Sequence, residues 1–310
     1  MLVICPNCKK HHDIDEKRIP PNVKLARCKG CGKPFPLPSS GKILLVPKVP
    51  LRKKLVPKRT RIIGVSLSKG GVGKSTTAVN LAAGLALAGS KVLLVDTDIQ
   101  GQDSFMLGVK AKGGLPELVT GELKPEEAIV QARERLWLLA GGESLAGLKR
   151  IIDRKDFGGE RILAKTLEPL EKQYDYIIVD TSPGWDPLTV NVLFYVKEIL
   201  APVSLEVMTL QGLVEFLKSV SSIQKSREDV SLKYIVPTFK DDRVKKTVDV
   251  LARLEQLYPE SLCEPIRQNV SLSEAPAYGQ TIYEYAPGSS GAKDYRALVR
   301  KVADDDSLFR

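Results

Sequence analysis

The sequence has no long apolar run and few cysteines, and both shortages limit what the protein can be. Within its 310 residues, no apolar stretch reaches the roughly 18–20 residues that a membrane-spanning helix needs. The apolar run at the start of the chain is also shorter than the core of a secretory signal. We therefore expect an intracellular, cytoplasmic protein without a membrane-spanning segment, for which a membrane is a less favoured partner than nucleic acid.

Acidic residues are scarce in the N-terminal part of the chain. Residues 1–61 contain 16 lysines and arginines but three acidic residues, whereas the remainder contains 31 basic and 34 acidic residues. The net charge of +10 is therefore carried by the N-terminal segment. Such a segment indicates an anionic partner, either nucleic acid or a membrane surface. A solvated basic linker without a partner is the alternative.

Four of the five cysteines lie in the first 31 residues, where they form two CxxC pairs. Cys5 and Cys8 form the first pair and Cys28 and Cys31 the second, with 19 residues between the pairs. In an intracellular chain this spacing is typical of a structural Zn²⁺ site with four thiolate ligands, and not of disulfides. A redox-active dithiol pair, or His11 as a ligand, is the alternative.

The N-terminal segment resembles the zinc-ribbon modules found at the N-termini of some bacterial proteins. We predict three parts: a zinc ribbon at residues 1–37, a basic linker at residues 38–61 and a large domain at residues 62–310. Four prolines discourage regular structure in the linker, although residues 43–46 are compatible with a short strand.

A glycine-rich stretch, SKGGVGKST at residues 68–76, has the character of a phosphate-binding loop. The usual pattern is glycine, four residues and then Gly-Lys-Ser/Thr, but Ser68 stands where the first glycine is usual. Apolar periodicity predicts a strand at residues 62–67 and a helix at residues 74–87. A glycine loop that enters a helix directs backbone N–H groups at phosphate.

Charged side chains surround this loop in the predicted fold. We expect Lys74 to reach the β- and γ-phosphates of a nucleotide and Ser75 to bind Mg²⁺. Asp96 and Asp98 follow one buried strand, and Asp180 follows another. In open α/β sheets, ligands bind at the carboxyl ends of the strands. We therefore expect these aspartates to lie near Mg²⁺ and the attacking water.

Together these motifs resemble the ParA/Soj/MinD group of ATPases. KGGVGKST resembles the deviant Walker A motif of that group, LLVDTDIQGQ its second motif and YDYIIVDTSPG its Walker B strand. LAPVSLEVMTLQGL, IVPTFKDDRV and NVSLSEAPAYGQTIYEY resemble the ParA/Soj branch specifically. The resemblance covers residues 61–302. It implies an α/β P-loop NTPase fold, with a mostly parallel twisted sheet of seven or eight strands and helices on both faces.

The resemblance also implies roles for individual residues. Lys69 matches the signature lysine, which crosses a nucleotide-sandwich dimer to the partner's phosphates. Lys69, Lys74 and Asp98 are accordingly the expected catalytic residues, with Asp98 positioning the attacking water. Asp96 and Asp180 match residues around the magnesium ion, which Ser75 also binds.

Residues of the phosphate loop and one distant asparagine are expected to contact ATP. Asn269 falls at a position associated with adenine recognition, although Arg267 replaces a proline that is common there. The expected ATP-binding residues are Gly70, Gly71, Val72, Gly73, Lys74, Ser75, Thr76 and Asn269.

ParA proteins bind DNA without sequence preference when ATP makes them dimeric. The family's basic DNA-contact positions fall on Arg243, which is retained, and on Ser271, where arginine is often found. Lys245 and Lys246 lie beside the retained arginine. We expect Arg243, Lys245 and Lys246 to contact DNA, with the alternative that the two lysines are the solvated face of a helix.

The leading hypothesis is an ATPase of the ParA type that uses ATP, Mg²⁺ and Zn²⁺. It would dimerise with ATP, bind DNA non-specifically and be released when a ParB-like or cargo-adaptor protein stimulates hydrolysis. This implies a cytoplasmic protein associated with the nucleoid. The rival hypothesis is a nucleotide-gated adaptor that binds a protein through its zinc ribbon, without a DNA role. Binding of anionic lipid by the basic linker is a third hypothesis.

Overall fold

The chain divides into two compact units, Met1–Lys54 and Leu55–Arg310. The computed structural model describes residues 2–4, 11–13, 25–36, 59–155 and 157–309. Cys5, Cys8 and the strand considered at residues 43–46 lie outside the described residues.

Two short antiparallel ladders make up the described part of the N-terminal unit. Strand β1 (Leu2–Ile4) pairs with β2 (His11–Asp13), and β3 (Leu25–Arg27) pairs with β4 (Pro34–Pro36). The turn between β3 and β4 carries the second CxxC pair, and Gly32 closes it with a φ of 71°. Glycine adopts this backbone conformation without the strain that a Cβ would cause.

Strands and helices alternate along the larger unit. Its strands are β5 (Arg61–Val65), β6 (Val92–Asp96), β7 (Ile129–Arg133), β8 (Leu136–Leu139), β9 (Tyr176–Asp180), β10 (Glu198–Ser204) and β11 (Ser231–Thr238). Its α-helices are α1 (Lys74–Leu87), α2 (Gln102–Leu107), α3 (Leu115–Thr120), α4 (Pro125–Ala128), α5 (Leu145–Asp153), α6 (Ile162–Leu167), α7 (Pro187–Tyr195), α8 (Val207–Gln224), α9 (Lys245–Leu257), α10 (Val270–Glu274), α11 (Ile282–Tyr285) and α12 (Ser290–Ala303). Short 3-10 helices cover Gly159–Arg161, Glu168–Gln173 and Ala275–Tyr278. Within the described ranges, no helix combines the length and apolar character needed to cross a membrane.

The seven strands of the larger unit form one sheet in the order β11-β10-β5-β9-β6-β8-β7. All neighbouring pairs are parallel except β7 and β8, which are antiparallel. The expected mostly parallel sheet is therefore confirmed. Because β5 lies between β10 and β9, the loop that follows β5 emerges near the middle of the sheet, between the ends of its neighbours. This is the part of an open α/β sheet where ligands bind.

Apolar side chains cover both faces of the sheet, because its central strands are buried on both sides. Ile62 and Ile63, adjacent in β5, belong to two separate hydrophobic clusters on opposite faces. Helices α5 to α8 contribute to one cluster, and α1 and α12 to the other. The expected helices on both faces are therefore confirmed.

Helix α1 packs closely against two neighbouring helices near its C-terminal end. A Cβ on Gly84 would lie 2.5 Å from both Tyr283 Oη and Val299 Cγ2. A side chain at this position would therefore push α11 and α12 away from α1. The close contact fixes the C-terminal half of α1 against α11 and α12.

Candidate functional site

The loop between β5 and α1 is folded as a phosphate-binding loop. Gly71 and Gly73 have φ values of 72° and 86°, which residues with a Cβ rarely adopt. Gly73 directly precedes α1, whose first N–H groups have no partners within the helix. Ser68 is not among the described residues with positive φ. Glycine is therefore not needed at position 68, and serine there does not damage the loop.

Side chains and backbone from other strands hold this loop in place. The Gly184 N–H, in the loop after β9, donates to the Ser68 carbonyl at 2.8 Å. The Thr238 hydroxyl, at the end of β11, donates to the Val72 carbonyl at 2.9 Å. The loop is thus fixed at both ends before any ligand binds, which limits the entropy cost of binding.

Lys74 is a buried ammonium at the base of the loop. Its side chain is 6% exposed, and its Nζ donates to the Lys69 carbonyl at 2.9 Å. Burial lowers the pKa of Lys74, while the nearby Asp180 and Asp98 carboxylates act to raise it. The cation is therefore held between carboxylates and the space above the loop, where it can interact with a bound phosphate.

Asp96 and Asp180 lie side by side at the carboxyl ends of β6 and β9. These strands are neighbours, and the two aspartates are directly paired in the parallel register. Both side chains are fully buried. Burial is the main reason that the pKa of Asp96 rises to about 7. Burial, followed by repulsion from Asp96, raises the pKa of Asp180 well above its usual value, and the Ser75 hydroxyl and Lys74 oppose this.

Asp98 is fixed by hydrogen bonds to the backbone around it. Its N–H donates to Asp96 Oδ1 at 2.8 Å, and its own Oδ1 accepts from the Gln100 N–H at 3.0 Å. Its carbonyl accepts from the N–H groups of Gly101 and Gly142 at 3.0 and 3.1 Å. The carboxylate is therefore buried and held in one place beside Lys74.

These residues fit a magnesium–nucleotide complex. Mg²⁺ prefers oxygen ligands, and the loop brings the half-buried Ser75 hydroxyl close to the buried Asp180 carboxylate. Neither carboxylate oxygen of Asp180 has a hydrogen-bond partner among the described residues. A buried carboxylate without a partner is costly unless a cation or donor satisfies it. The donor set therefore suits a hard divalent ion beside bound phosphates.

Comparison with known proteins shows which family the chain belongs to. Family models described as an AAA domain and a zinc-ribbon domain match residues 60–233 and 1–36. The chromosome-partitioning ATPase Soj of Thermus thermophilus is 35% identical over 246 residues, which cover 79% of this chain and 96% of that protein. The chain belongs to the ParA/Soj family of ATPases. It carries a zinc-ribbon domain at its N-terminus, and both predictions are confirmed.

Solved structures confirm the P-loop NTPase fold of this ParA/Soj-family chain. Cobyrinic acid a,c-diamide synthase from Mycobacterium smegmatis, with bound ADP and magnesium, matches with a TM-score of 0.68 and 30% identity. The match covers 78% of this chain and 94% of that one. A variant of Cyanothece McdA in complex with ATP matches with a TM-score of 0.73 and 21% identity, over 81% and 99% of the two chains.

Lys69, at the position of the ParA signature lysine, contacts its own chain in the described structure. Its Nζ donates to Glu206 Oε2 at 3.1 Å and to Thr209 Oγ1 at 2.9 Å. Thr209 is buried and shares a 2.7 Å hydrogen bond with Ser204. The Lys69 and Glu206 side chains are 32% and 62% exposed. An ion pair this exposed contributes about 0.2–1 kcal/mol, so it holds Lys69 only weakly.

Asn269 lines a pocket of about 230 Å³ beside the phosphate loop. Thr76 and Phe239 line the same pocket. The Asn269 side chain caps α10, because its Oδ1 accepts from the Leu272 N–H at 3.3 Å, and its Nδ2 donates to Ser290 Oγ at 2.7 Å. An asparagine can make up to four hydrogen bonds. Asn269 therefore lies in a pocket beside the phosphate loop, with two of its hydrogen bonds already used.

Arg267 has a structural role that a proline could not supply. Its backbone N–H donates to Asp294 Oδ2 at 2.9 Å, and its guanidinium forms an ion pair with the same carboxylate. Asp294 belongs to α12 and is 9% exposed. Proline has no N–H to donate. The contacts between Arg267 and Asp294 thus link one wall of the pocket to α12.

The candidate DNA-binding residues lie close together along the chain, in the loop before α9 and in its first turn. Arg243 is 89% exposed and pairs with Asp241, with Nη2 2.7 Å from Oδ2. Lys245 and Lys246 are exposed in the first turn of α9, where Val244 provides no side-chain cap and no acidic residue is present. Cations are unfavourable at the positive end of a helix, so an anion bound there would relieve the repulsion.

The second cysteine pair lies in a turn that directs two backbone N–H groups at one of its sulfurs. The Cys28 sulfur accepts the Gly30 and Cys31 N–H groups at 3.2 and 3.5 Å. Hydrogen bonds from backbone N–H groups favour the thiolate form, which is the form that binds metal. Cys28 and Cys31 thus fit a Zn²⁺ ion, while Cys5 and Cys8 lie outside the described residues.

Several residues at this site were missed by sequence reasoning. Glu206 and Thr209 hold Lys69, and Thr238 holds the loop. Glu206 and Thr238 lie at or just after the carboxyl ends of β10 and β11, so the strand-end rule that identified Asp96 would also have found them. Asp103, buried in α2, carried no comparable signal.

Proposed function

We propose that this ATPase works as an ATP-dependent dimer that binds DNA non-specifically in its ATP state. A ParB-like or cargo-adaptor protein would stimulate hydrolysis and release it from DNA. The protein would then act in the cytoplasm, associated with the nucleoid. The observation that carries the proposal is the position of Lys69, a second lysine at a phosphate loop that already contains Lys74.

The exposed contact of Lys69 with Glu206 supports a change of partner when ATP binds. The loop already holds the buried Lys74 beside Asp98 and Asp180, so one nucleotide gains little from a second lysine. Lys69 is half-buried, and its present partner Glu206 is largely exposed. A lysine that contributes to the site of a second subunit resembles an arginine finger supplied in trans. We infer that Lys69 leaves Glu206 and contacts the phosphates of the partner subunit.

The nucleotide would bind along the phosphate loop, with Mg²⁺ between Ser75 and the buried carboxylates. The backbone N–H groups of residues 70–76 would contact the phosphates, and Asn269 would line the site of the base. Mg²⁺, when bound, neutralises charge that develops on the phosphates. Asp96 and Asp180 would fix its surroundings, and Asp98 would orient the attacking water. The binding of ADP and magnesium by the 30% identical synthase supports this arrangement.

A short piece of chain joins the pocket beside the phosphate loop to Arg243, Lys245 and Lys246, which we call the basic segment. Thr238 bonds to the phosphate loop, and a Cβ on Gly73 would lie 3.6 Å from the ring of Phe239. Arg243, Lys245 and Lys246 follow within the same loop and the start of α9. A change in the phosphate loop can therefore move the basic segment directly. This supports the coupling of ATP binding to DNA binding.

The DNA-binding proposal predicts that ATP strengthens non-specific DNA binding by at least about tenfold over ADP, because a dimer presents two basic segments at once. The Lys69→Ala variant should bind equally with ATP and ADP. Fluorescence anisotropy with duplexes of unrelated sequence would measure these affinities. If the wild type binds DNA equally with ATP and with ADP, and Lys69→Ala binds it equally well, ATP does not control DNA binding.

The salt dependence of the same binding tests the basic segment. Replacing Lys245 and Lys246 with alanine removes four positive charges from a dimer. The slope of the logarithm of the DNA-binding constant against the logarithm of the salt concentration should therefore become shallower by about 3–4. The matched control is Lys218→Ala with Lys225→Ala, which removes two exposed lysines per chain from the region of α8. If both double variants change the slope equally, the basic segment does not contact DNA.

We propose that residues 1–37 form a structural zinc ribbon held by Cys5, Cys8, Cys28 and Cys31. The basic linker at residues 38–61 would separate it from the ATPase domain at residues 62–310. A segment this short cannot bury enough apolar surface to fold alone, so a metal would supply its stability. The bonds from the Gly30 and Cys31 N–H groups to Cys28 Sγ support this proposal.

The zinc proposal predicts about one zinc ion per purified chain, because four thiolates close a tetrahedral site. Replacing Cys5 and Cys8 with serine should lower the zinc content, measured by plasma mass spectrometry, below about one tenth of that value. Cys263→Ala is the matched control, because Cys263 is buried in the core of the ATPase domain. Equal zinc content in all three proteins would contradict the four-cysteine site.

The rival function is a nucleotide-gated adaptor that binds a protein through its zinc ribbon. One observation favours it: Arg243 and Lys240 are already paired with Asp241 and Asp242. These pairs reduce the charge available to DNA. The adaptor function predicts DNA binding that is weak and does not respond to nucleotide, so the anisotropy experiment distinguishes the two functions.

A further inference from the structure

A third buried aspartate faces the two carboxylates of the proposed magnesium site. Asp103 lies in α2, and its backbone N–H donates to Asp96 Oδ2 at 3.2 Å. The Asp103 side chain is fully buried. Neither of its carboxylate oxygens has a hydrogen-bond partner among the described residues, and the same is true of Asp180.

The three carboxylates converge on one small volume. One oxygen each from Asp96, Asp103 and Asp180 lies within 4.8 Å of the other two. Mg²⁺ binds oxygen ligands octahedrally at about 2.0–2.1 Å, so opposite ligands lie about 4 Å apart and adjacent ligands about 3 Å apart. The three oxygens are thus close enough for one ion to bind all of them after the side chains draw closer together.

The charges around this volume are unbalanced. The charged groups that act on Asp103 are Asp96, Asp180 and Asp98, which all have the same sign. Lys74 contributes one positive charge to the neighbouring Asp180 and Asp98. Carboxylates that are fully buried are normally paired, or coordinate a metal, because their desolvation is otherwise uncompensated. Hard divalent cations are the natural partners of an all-oxygen site.

We propose that Asp96, Asp103 and Asp180 bind a divalent cation of the Mg²⁺ or Mn²⁺ type directly, before any nucleotide is present. Asp103 has no part in the proposed ATPase cycle, so Mn²⁺ binding without nucleotide tests this site separately from that cycle. It shares Asp96 and Asp180 with the magnesium site described above. The cation is therefore already held beside the phosphate loop when the nucleotide arrives.

The test is binding of Mn²⁺ alone to the full-length, zinc-loaded protein without nucleotide. Electron paramagnetic resonance measures the free Mn²⁺, and the wild type should bind about one Mn²⁺ per chain in addition to its zinc. Asp103→Asn keeps the shape of the side chain and removes its charge, and it should weaken Mn²⁺ binding by at least about tenfold. Asp249→Asn, an exposed aspartate on α9, is the matched control and should bind as the wild type does.

Thermal unfolding gives a second readout of the same site. Mn²⁺ that binds the folded state alone raises the Tm of the wild type, and Asp103→Asn should lose this rise. In EDTA, Asp103→Asn should melt at or above the wild-type Tm, because it lacks one buried charge. The proposal is overturned if the wild type binds no Mn²⁺ without nucleotide, or if Asp103→Asn binds it as tightly as the wild type. Binding of Mg²⁺-ATP, measured in parallel, tests the ATPase proposal separately.

Discussion

Replacing Lys69 with alanine is expected to abolish ATP-dependent dimerisation while each chain still binds ATP. In a two-fold symmetric dimer each lysine would contact the partner's phosphates, so the substitution removes two contacts at once. A hydrogen bond to a charged group contributes about 1.5–3 kcal/mol. Two such bonds correspond to a loss of about 10²- to 10⁴-fold in the dimer dissociation constant. Analytical ultracentrifugation with a non-hydrolysable ATP analogue would measure it.

Glu206→Gln provides a matched variant with the opposite expected effect. It keeps the shape of the side chain but weakens the ion pair that holds Lys69 within its own chain. Because an exposed pair contributes about 0.2–1 kcal/mol, two released lysines should strengthen the dimer by about two- to thirtyfold. If Lys69→Ala and Glu206→Gln both leave the dimer unchanged, Lys69 does not act between subunits. Loss of ATP binding by Lys69→Ala would instead indicate that Lys69 contributes to the ATP site of its own chain.

The centre of the site could be predicted because it depends on local sequence. A glycine loop between a strand and a helix places its N–H groups by backbone geometry alone. Asp96 and Asp180 end buried strands, and the carboxyl ends of parallel strands share one edge of the sheet. Their direct pairing between β6 and β9 required the strand order, which the sequence does not state. The sequence therefore indicated which edge of the sheet holds the carboxylates, but not which of them are direct neighbours.

Contacts between distant parts of the chain could not be predicted in the same way. Lys69 and Glu206 are 137 positions apart, and nothing in either local pattern links them. Asp103 lies in a short helix whose sequence gives no sign that α2 turns it inward toward Asp96. Both contacts depend on how helices pack onto the sheet. Many different sequences allow the same packing, so the local sequence does not reveal these contacts.

The substitution at position 267 shows how a departure from the family pattern can be explained by structure. From sequence alone, arginine in place of proline put base contacts by Asn269 in question. The structure shows that the Arg267 N–H and guanidinium both bind Asp294, and that Asn269 still lines the pocket. The wall of the pocket is thus held by a charged pair where a proline would supply rigidity. The position of Asn269 does not require proline at 267.

The second large effect is expected from Asp98→Asn, which should lower kcat for ATP hydrolysis by about 10²- to 10³-fold. A side chain that positions or deprotonates the attacking group contributes about 10²- to 10⁴-fold. Asn keeps the shape of the buried carboxylate and can still accept the Gln100 N–H bond, so ATP should bind within about threefold of wild type. Phosphate release and nucleotide binding measure the two quantities. Asp249→Asn, on the exposed face of α9, should change neither.

The Asp98→Asn variant also tests whether ATP hydrolysis causes release from DNA. If hydrolysis ends the ATP state, slowing it should lengthen the lifetime of the DNA complex by a similar factor, as measured by dissociation into competitor DNA. Wild-type hydrolysis in Asp98→Asn would exclude a role for this carboxylate in positioning water. Slow hydrolysis with unchanged DNA release would leave that role intact but separate hydrolysis from release. Because Asp98 is buried and far along the chain from the basic segment, slower release could not come from a new contact with DNA.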